Sequence, residues 1–306
     1  MALVHPEYLV TTQWLADHLD DPDVVVLDVT ARLTSSLDNA PGLQCWIDQH
    51  IPGSVFFDVA SAKGRLSNPD ASLPWMWPTA EQFGATMADI GVGPHTKVVL
   101  VGRTPRPGVD SGTMWCTRAW WTMHHFGVDC AILHGGIERW QAEGRPMAHG
   151  EDQPAARPVP TPAEPSGEWQ RARATKDDVL AAVEAIGSGD ASVCIVDALS
   201  ANNYGGSSDV YGGRAGHIEG AINVPYASLI EAETCGFVDA VTMRAVLADA
   251  GLLDAPRVIT YCGGAIAATV DAFCLALLGH QDVAVYDGSL MEWAADPNMP
   301  MVNPSA

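Results

Sequence analysis

The chain has 306 residues, enough for two cores of ordinary size. Lys and Arg total 16 against 37 Asp and Glu, a formal charge of −21, so nucleic acid and anionic membranes are repelled and any anion site must be a local cluster of donors. No apolar run approaches the ~18–20 residues of a membrane span, and the first residues, Met1 to Glu7, lack a basic segment followed by an apolar one, so a soluble, cytoplasmic protein is expected.

In chain order, Val24–Asp28 reads as a buried strand ending in an acid. His50-Ile51-Pro52-Gly53 follows. Thr79 caps a helix in which Phe83, Met87 and Ile90 share a face, with Gln82 three residues after the cap. Apolar strands at 98–101 and 130–133 come next, the latter followed by His134-Gly135-Gly136-Ile137-Glu138-Arg139-Trp140. The second half repeats this order. Thr175 caps a helix with Val179, Val183 and Ile186 on one face, and Val193–Asp197 is again a strand ending in an acid. His217-Ile218-Glu219-Gly220 matches the first His-Ile segment, residues 258–261 form the next strand, and 283–286 lead to Glu292-Trp293. The same features in the same order mark a duplication. Between the halves, residues 146–165 carry Pro146, Pro154, Pro158, Pro160, Pro162 and Pro165, a density that favours extended chain over helix. The expected organisation is a first domain at 8–148, a linker at 149–172 and a second domain at 173–303. Strands alternating with helices imply α/β domains with mainly parallel sheets, whose ligands bind at the carboxyl ends of strands.

Seven cysteines, an odd number with no C-x-x-C pair, argue against a disulfide framework or a zinc site. Cys274, Cys194 and Cys130 fall in apolar helix or strand patterns, and Cys116 lies among tryptophans, so these read as core; Cys45 and Cys235 fall in less regular segments. Cys262 differs. It ends the strand 258–261, and Gly263 and Gly264 separate it from a helical pattern marked by Ile266, Val270, Phe273 and Leu277 and stopped by Gly279. Glycines let backbone N–H groups converge into an anion-binding nest, and the helix dipole adds to it. Both favour a thiolate, and the same amides suit an anionic persulfide. Cys262 is therefore the candidate nucleophile.

At these residues the chain resembles the tandem rhodanese family of thiosulfate and 3-mercaptopyruvate sulfurtransferases. HIPGSVFFD (50–58), RAWW (118–121), HGGIERW (134–140), AGHIEGAINVP (215–225) and VAVYDG (283–288) carry the likeness over nearly the whole chain. It implies two tandem rhodanese-like domains, each a mainly parallel five-stranded sheet flanked by helices. The second carries the nucleophile, and the first, whose matching strand ends at Val101-Gly102, does not. It further implies sulfur transfer through a Cys262 persulfide, from a small 3-mercaptopyruvate- or thiosulfate-like donor to a thiol, cyanide or protein-thiol acceptor, with no metal or cofactor. The oligomeric state is not indicated.

The substrate apparatus departs from the family pattern. Thiosulfate enzymes resemble C-R-K-G-V-T at this loop and mercaptopyruvate enzymes C-G-S-G-V-T, whereas this chain has Cys262-Gly263-Gly264-Ala265-Ile266-Ala267. The arginine of a family R-Y pair aligns with Asn203. Substrate binding is accordingly assigned to Gly263, Gly264, Ala265, Ile266, Ala267, Arg214 and Asn203, with Arg214 the available cation. Arg103, Arg106 and His50 of the first half are further candidates to reach the site, and His217, Asp28 and Asp197 read as structural. A phosphatase of this fold needs an arginine six residues after the cysteine, and that position is Ala268. The remaining alternatives are a non-catalytic binding or regulatory module and a persulfide carrier fed by another protein.

Overall fold

A computed structural model describes residues 2–151, 171–207, 211, 213–231 and 234–305. Most of the proline-rich stretch expected as a linker therefore lies outside the described residues. By contact the chain divides into two compact units. The first comprises Glu7–Gln170 with Ala232–Phe237, and the second comprises Met1–Pro6, Arg171–Glu231 and Val238–Ala306. The short segment Ala232–Phe237 thus groups with the first unit, although the sequence places it in the second half.

In the first unit, β1 (Leu9–Val10), α1 (Thr12–Asp17), β2 (Val24–Asp28), α2 (Ala40–Asp48), β3 (Val55–Phe56), α3 (Ala80–Asp89), β4 (Lys97–Val101), α4 (Gly112–His125), β5 (Cys130–Leu133) and α5 (Gly136–Ala142) alternate. The sheet order is β1-β5-β4-β2-β3, and every pairing is parallel. Thr79 caps α3 through a reciprocal capping box with Gln82, which places Phe83 and Met87 in the core.

The second unit repeats the plan with β6 (Arg173–Ala174), α6 (Lys176–Gly187), β7 (Val193–Asp197), α7 (Ala201–Tyr204), β8 (His217–Ile218), β9 (Ile222–Asn223), α8 (Ala240–Asp249), β10 (Arg257–Tyr261), α9 (Ala268–Leu277), β11 (Val283–Tyr286), α10 (Ser289–Trp293) and β12 (Met301–Val302). Its sheet order is β6-β11-β10-β7-β9, again all parallel, so each strand has a counterpart at the same place in the first unit. The pair β12–β8 is antiparallel and forms a separate two-stranded sheet. All of α9 is buried, in keeping with a sequence that is apolar apart from Thr269 and Asp271. Among the described residues no helix is long and apolar enough to cross a membrane.

Candidate active site

β10 is the central strand of its sheet, and Cys262 is the first residue beyond its carboxyl end, where parallel sheets place their ligands. The residue is only 2 % exposed. The chain then folds back over the sulfur, and the Ile266 N–H donates to Cys262 Sγ at 3.2 Å. This closure needs one left-handed residue. It falls on Ala265, at φ 60°, and on neither glycine, at a local cost of about 1–2 kcal/mol. Thr260 Oγ1 donates to the Ala268 carbonyl at 3.0 Å and fixes the start of α9 against the strand.

α10 holds the loop from behind. Its first amides, of Leu290 and Met291, donate to the carbonyls of Cys262 and Gly263 at 3.1 and 3.0 Å. Ser289 Oγ accepts the Cys262 N–H at 3.3 Å and donates to the Tyr286 carbonyl at 2.8 Å. The backbone on both sides of the sulfur is therefore tied down, which is what a preorganised nucleophile requires.

The electrostatics differ from the sequence expectation of a resting thiolate. Burial pushes the Cys262 thiol above its ordinary value. The amides of Ala268, Gly264 and Ile266 oppose that rise, and the carboxyl of Asp197 adds to it. The nest exists, but desolvation outweighs it, so the resting residue is a thiol. Asp197 is itself pushed up to about 6 by burial, opposed by the N–H that Leu199 donates and by the neighbouring Tyr261 hydroxyl. Asp271, within α9, is buried and driven well up by desolvation and then by Asp197.

Gly263, Gly264, Ala265, Ile266 and Ala267 are all buried in this loop. Gly263 has no positive φ; its missing side chain serves another end. A Cβ there would stand 2.7 Å from Tyr211 Cζ, with Cε1 and Cδ1 closer still. The ring of Tyr211 packs directly against the glycine. Replacing Gly263 by alanine, which its backbone tolerates, is expected to push the ring away and raise the alkylation rate of Cys262 several-fold. An unchanged rate, read by peptide mass mapping, would show that the ring is not its cover.

The other assigned residues fall outside the loop. Asn203 lies on α7, half-buried, with its N–H on the Ser200 hydroxyl. Arg214 does not offer its charge to the site. Its Nε donates to Ala294 O at 2.9 Å, its Nη1 to Met299 O at 3.0 Å, and its Nη2 to Trp293 O at 2.9 Å and Asp296 O at 2.6 Å. These bonds use four of the five guanidinium donors on backbone, so the expected anion ligand is a structural clamp. His217 stacks on Tyr204, with ring centroids 3.7 Å apart, and its Nδ1 bonds the Tyr204 carbonyl. All seven cysteines are free thiols, and among the described residues no cluster of His, Cys, Asp or Glu could hold a metal ion. Sequence reasoning missed Tyr211, Ser289 and the electrostatic weight of Asp197; the available signal for Tyr211 was a single aromatic among the glycines and serines of 205–213.

The first unit keeps the same scaffold, with Gly102 where the second unit has Cys262. Gly102 is the first residue beyond β4, and its carbonyl accepts the Ile137 N–H at 3.0 Å, as that of Cys262 accepts the Leu290 N–H. Gly136 takes the left-handed position of Ser289, at φ 59° against 48°. Asp28 accepts from the Thr30 N–H as Asp197 does from Leu199, and burial raises its pKa too. Cys116 Sγ from α4 occupies the space beside Gly102, 3.2 Å from where a Cβ would stand. Arg103 donates to the Gln49 carbonyl at 2.8 Å, Arg106 is ion-paired with Asp110, and His50 stacks on Trp46 while bonding its carbonyl.

Two parallel α/β units with one strand order define a duplicated domain. The Rhodanese-like domain family matches residues 11–143 and 178–296, and the chain belongs to that family. It is 30 % identical to the 3-mercaptopyruvate sulfurtransferase of Escherichia coli (strain K12) over 299 residues, covering 96 % of this chain and 97 % of that protein. It is 29 % identical to the sulfur carrier protein TtuD of Thermus thermophilus over 308 residues, with 96 % and 95 % covered. The crystal structure of SseA, a 3-mercaptopyruvate sulfotransferase from Escherichia coli, superposes with a TM-score of 0.76 at 28 % identity, covering 92 % of this chain and 98 % of that one.

Proposed function

We propose that this protein is a sulfurtransferase. Cys262 Sγ takes a sulfur atom from a small donor of the 3-mercaptopyruvate or thiosulfate type and holds it as a persulfide until a thiol, cyanide or protein cysteine removes it. This is covalent catalysis through a sulfur nucleophile. The observation that carries the reading is the Ile266 N–H aimed at Sγ from a closed loop at the end of the central strand. A hydropersulfide is a stronger acid than a thiol, so the same amides stabilise the loaded state more than the resting one. The loop therefore suits a carrier of bound sulfur better than a permanently ionised cysteine. The similarity to named sulfurtransferases supports the same chemistry.

Likeness to the sulfur carrier protein TtuD favours one second reading, in which the sulfur arrives from another protein. Intact-protein mass spectrometry after exposure to 3-mercaptopyruvate, thiosulfate or a persulfidated protein tests both. The expected result is gain of one sulfur atom, reversed by reductant or cyanide and absent in Cys262→Ala. Equal gain in that variant would overturn the assignment of Cys262, and loading from the protein donor alone would favour the carrier.

A further inference from the structure

We propose that Tyr211 selects the sulfur donor at Cys262, admitting donors whose leaving end is an uncharged organic thiol and disfavouring dianions such as thiosulfate. The inference rests on the sulfurtransferase reading and narrows its substrate class. Three observations carry it. First, the Tyr211 ring lies against Gly263, next to the nucleophile, so closely that no side chain fits beneath it. Gly263 adopts an ordinary backbone conformation, so the approach of the ring is the constraint that glycine meets there. Second, the residues that follow Cys262 are Gly263, Gly264, Ala265, Ile266 and Ala267, which supply no cation, and the guanidinium of Arg214 is spent on four backbone carbonyls. Third, the carboxyl of Asp197 is close enough to raise the Cys262 thiol, so the site opposes added negative charge. The phenols of Tyr211 and Tyr226 are raised above their ordinary value, first by burial and then by the neighbouring Cys262, so neither ring brings a charge of its own.

The energetics favour one class of donor. A sulfonate entering beside the ring loses water, and neither residues 263–267 nor the Arg214 guanidinium offers it a compensating charge. An alkyl group packs on the ring and loses little. For a hydropersulfide R–S–SH, the Cys262 thiolate attacks the outer sulfur. The new Sγ–S bond forms as the donor S–S bond breaks, and the electron pair leaves on R–S⁻. That thiolate takes up the proton Cys262 gave away, so the products are R–SH and the Cys262 hydropersulfide, with no oxidant or reductant needed.

The test compares the rates at which Cys262 gains sulfur from thiosulfate and from a small alkyl hydropersulfide, by intact mass, in the wild type and in three variants. The wild type is expected to load the hydropersulfide at least about tenfold faster. Tyr211→Ala, which admits water and removes the packing surface, is expected to shrink that ratio roughly tenfold, and Tyr211→Phe to keep most of it. Gly263→Ala displaces the ring without touching Tyr211 and is expected to follow Tyr211→Ala. Because the readout is a ratio within one sample, a partial loss of folded protein does not mimic it. Loading with an unchanged ratio in both Tyr211→Ala and Gly263→Ala would overturn the inference and leave the sulfurtransferase reading standing. No loading of wild-type Cys262 from either donor would overturn both.

Discussion

Replacing Arg214 by alanine is expected to lower the unfolding free energy by about 3–5 kcal/mol, one of the largest losses available to a single side chain in this protein. The guanidinium joins four carbonyls at the end of α10 and in the turn that follows it, those of Trp293, Ala294, Asp296 and Met299. A hydrogen bond to a charged donor is worth about 1.5–3 kcal/mol, and the four do not add in full because half-buried carbonyls regain water. Arg214→Lys keeps the charge but cannot span four acceptors, and is expected to recover little. The melting temperature should fall by about 10 °C in Arg214→Ala. Below that transition the KM for the donor should stay near the wild-type value. A raised KM with unchanged stability would return Arg214 to the role its position in the sequence suggested.

That clamp matters to the chemistry through a short chain of contacts. Arg214 fixes the turn, the turn ends α10, and the first amides of α10 hold the carbonyls of Cys262 and Gly263. Trp293 contributes from within the helix, its indole N–H reaching the Pro300 carbonyl at 2.9 Å. A side chain well removed along the sequence from Cys262 thus helps to keep the loop in shape.

The parts of this architecture legible in the sequence are those fixed by local pattern. Val24–Asp28, Cys130–Leu133 and Val193–Asp197 are apolar runs of strand length, and they form strands with those bounds. Cys262 is legible because the run before it stops and glycines follow. By contrast β1, β3, β6, β8, β9 and β12 are two residues long, and so short a strand exists only because a neighbouring strand is already in place. The left-handed residue of the loop defied the sequence for a related reason. Glycine is the usual occupant of that conformation, yet packing and the bonds around Ile266 impose it on Ala265, while Gly263 yields its space to an aromatic ring. The role of Arg214 depends on carbonyls some eighty positions away in the chain, and backbone acceptors leave no mark on residue identity. The charge state of Cys262 likewise turns on burial, which a motif does not report.

Replacing Asp197 by asparagine is expected to change the pH dependence of both stability and thiol reactivity. Asp197 is fully buried, and its pKa rises from 3.8 to about 6, chiefly through desolvation. A carboxyl raised in the folded state binds its proton more tightly there than in the unfolded chain. Its stabilising contribution is therefore complete below about pH 3.8, falls as pH rises through about 6 and is gone above that, a loss of about 3 kcal/mol. The groups facing Asp197 are the Leu199 amide, the Tyr261 hydroxyl, Asp271, Tyr204, Tyr211 and Cys262. An asparagine can still accept the Leu199 N–H, but its amide meets the Tyr261 hydroxyl as a poorer partner. That cost is constant with pH and lowers the whole stability curve without changing its slope. Urea unfolding between pH 4 and 8 should show wild-type stability declining relative to Asp197→Asn by up to about 3 kcal/mol, most of it between pH 4 and 6.5. Removing the carboxylate also removes a repulsion on the neighbouring sulfur, so the alkylation midpoint of Cys262 should move to lower pH in the variant. Parallel stability curves together with an unmoved alkylation midpoint would show that Asp197 is ionised throughout and does not restrain the nucleophile.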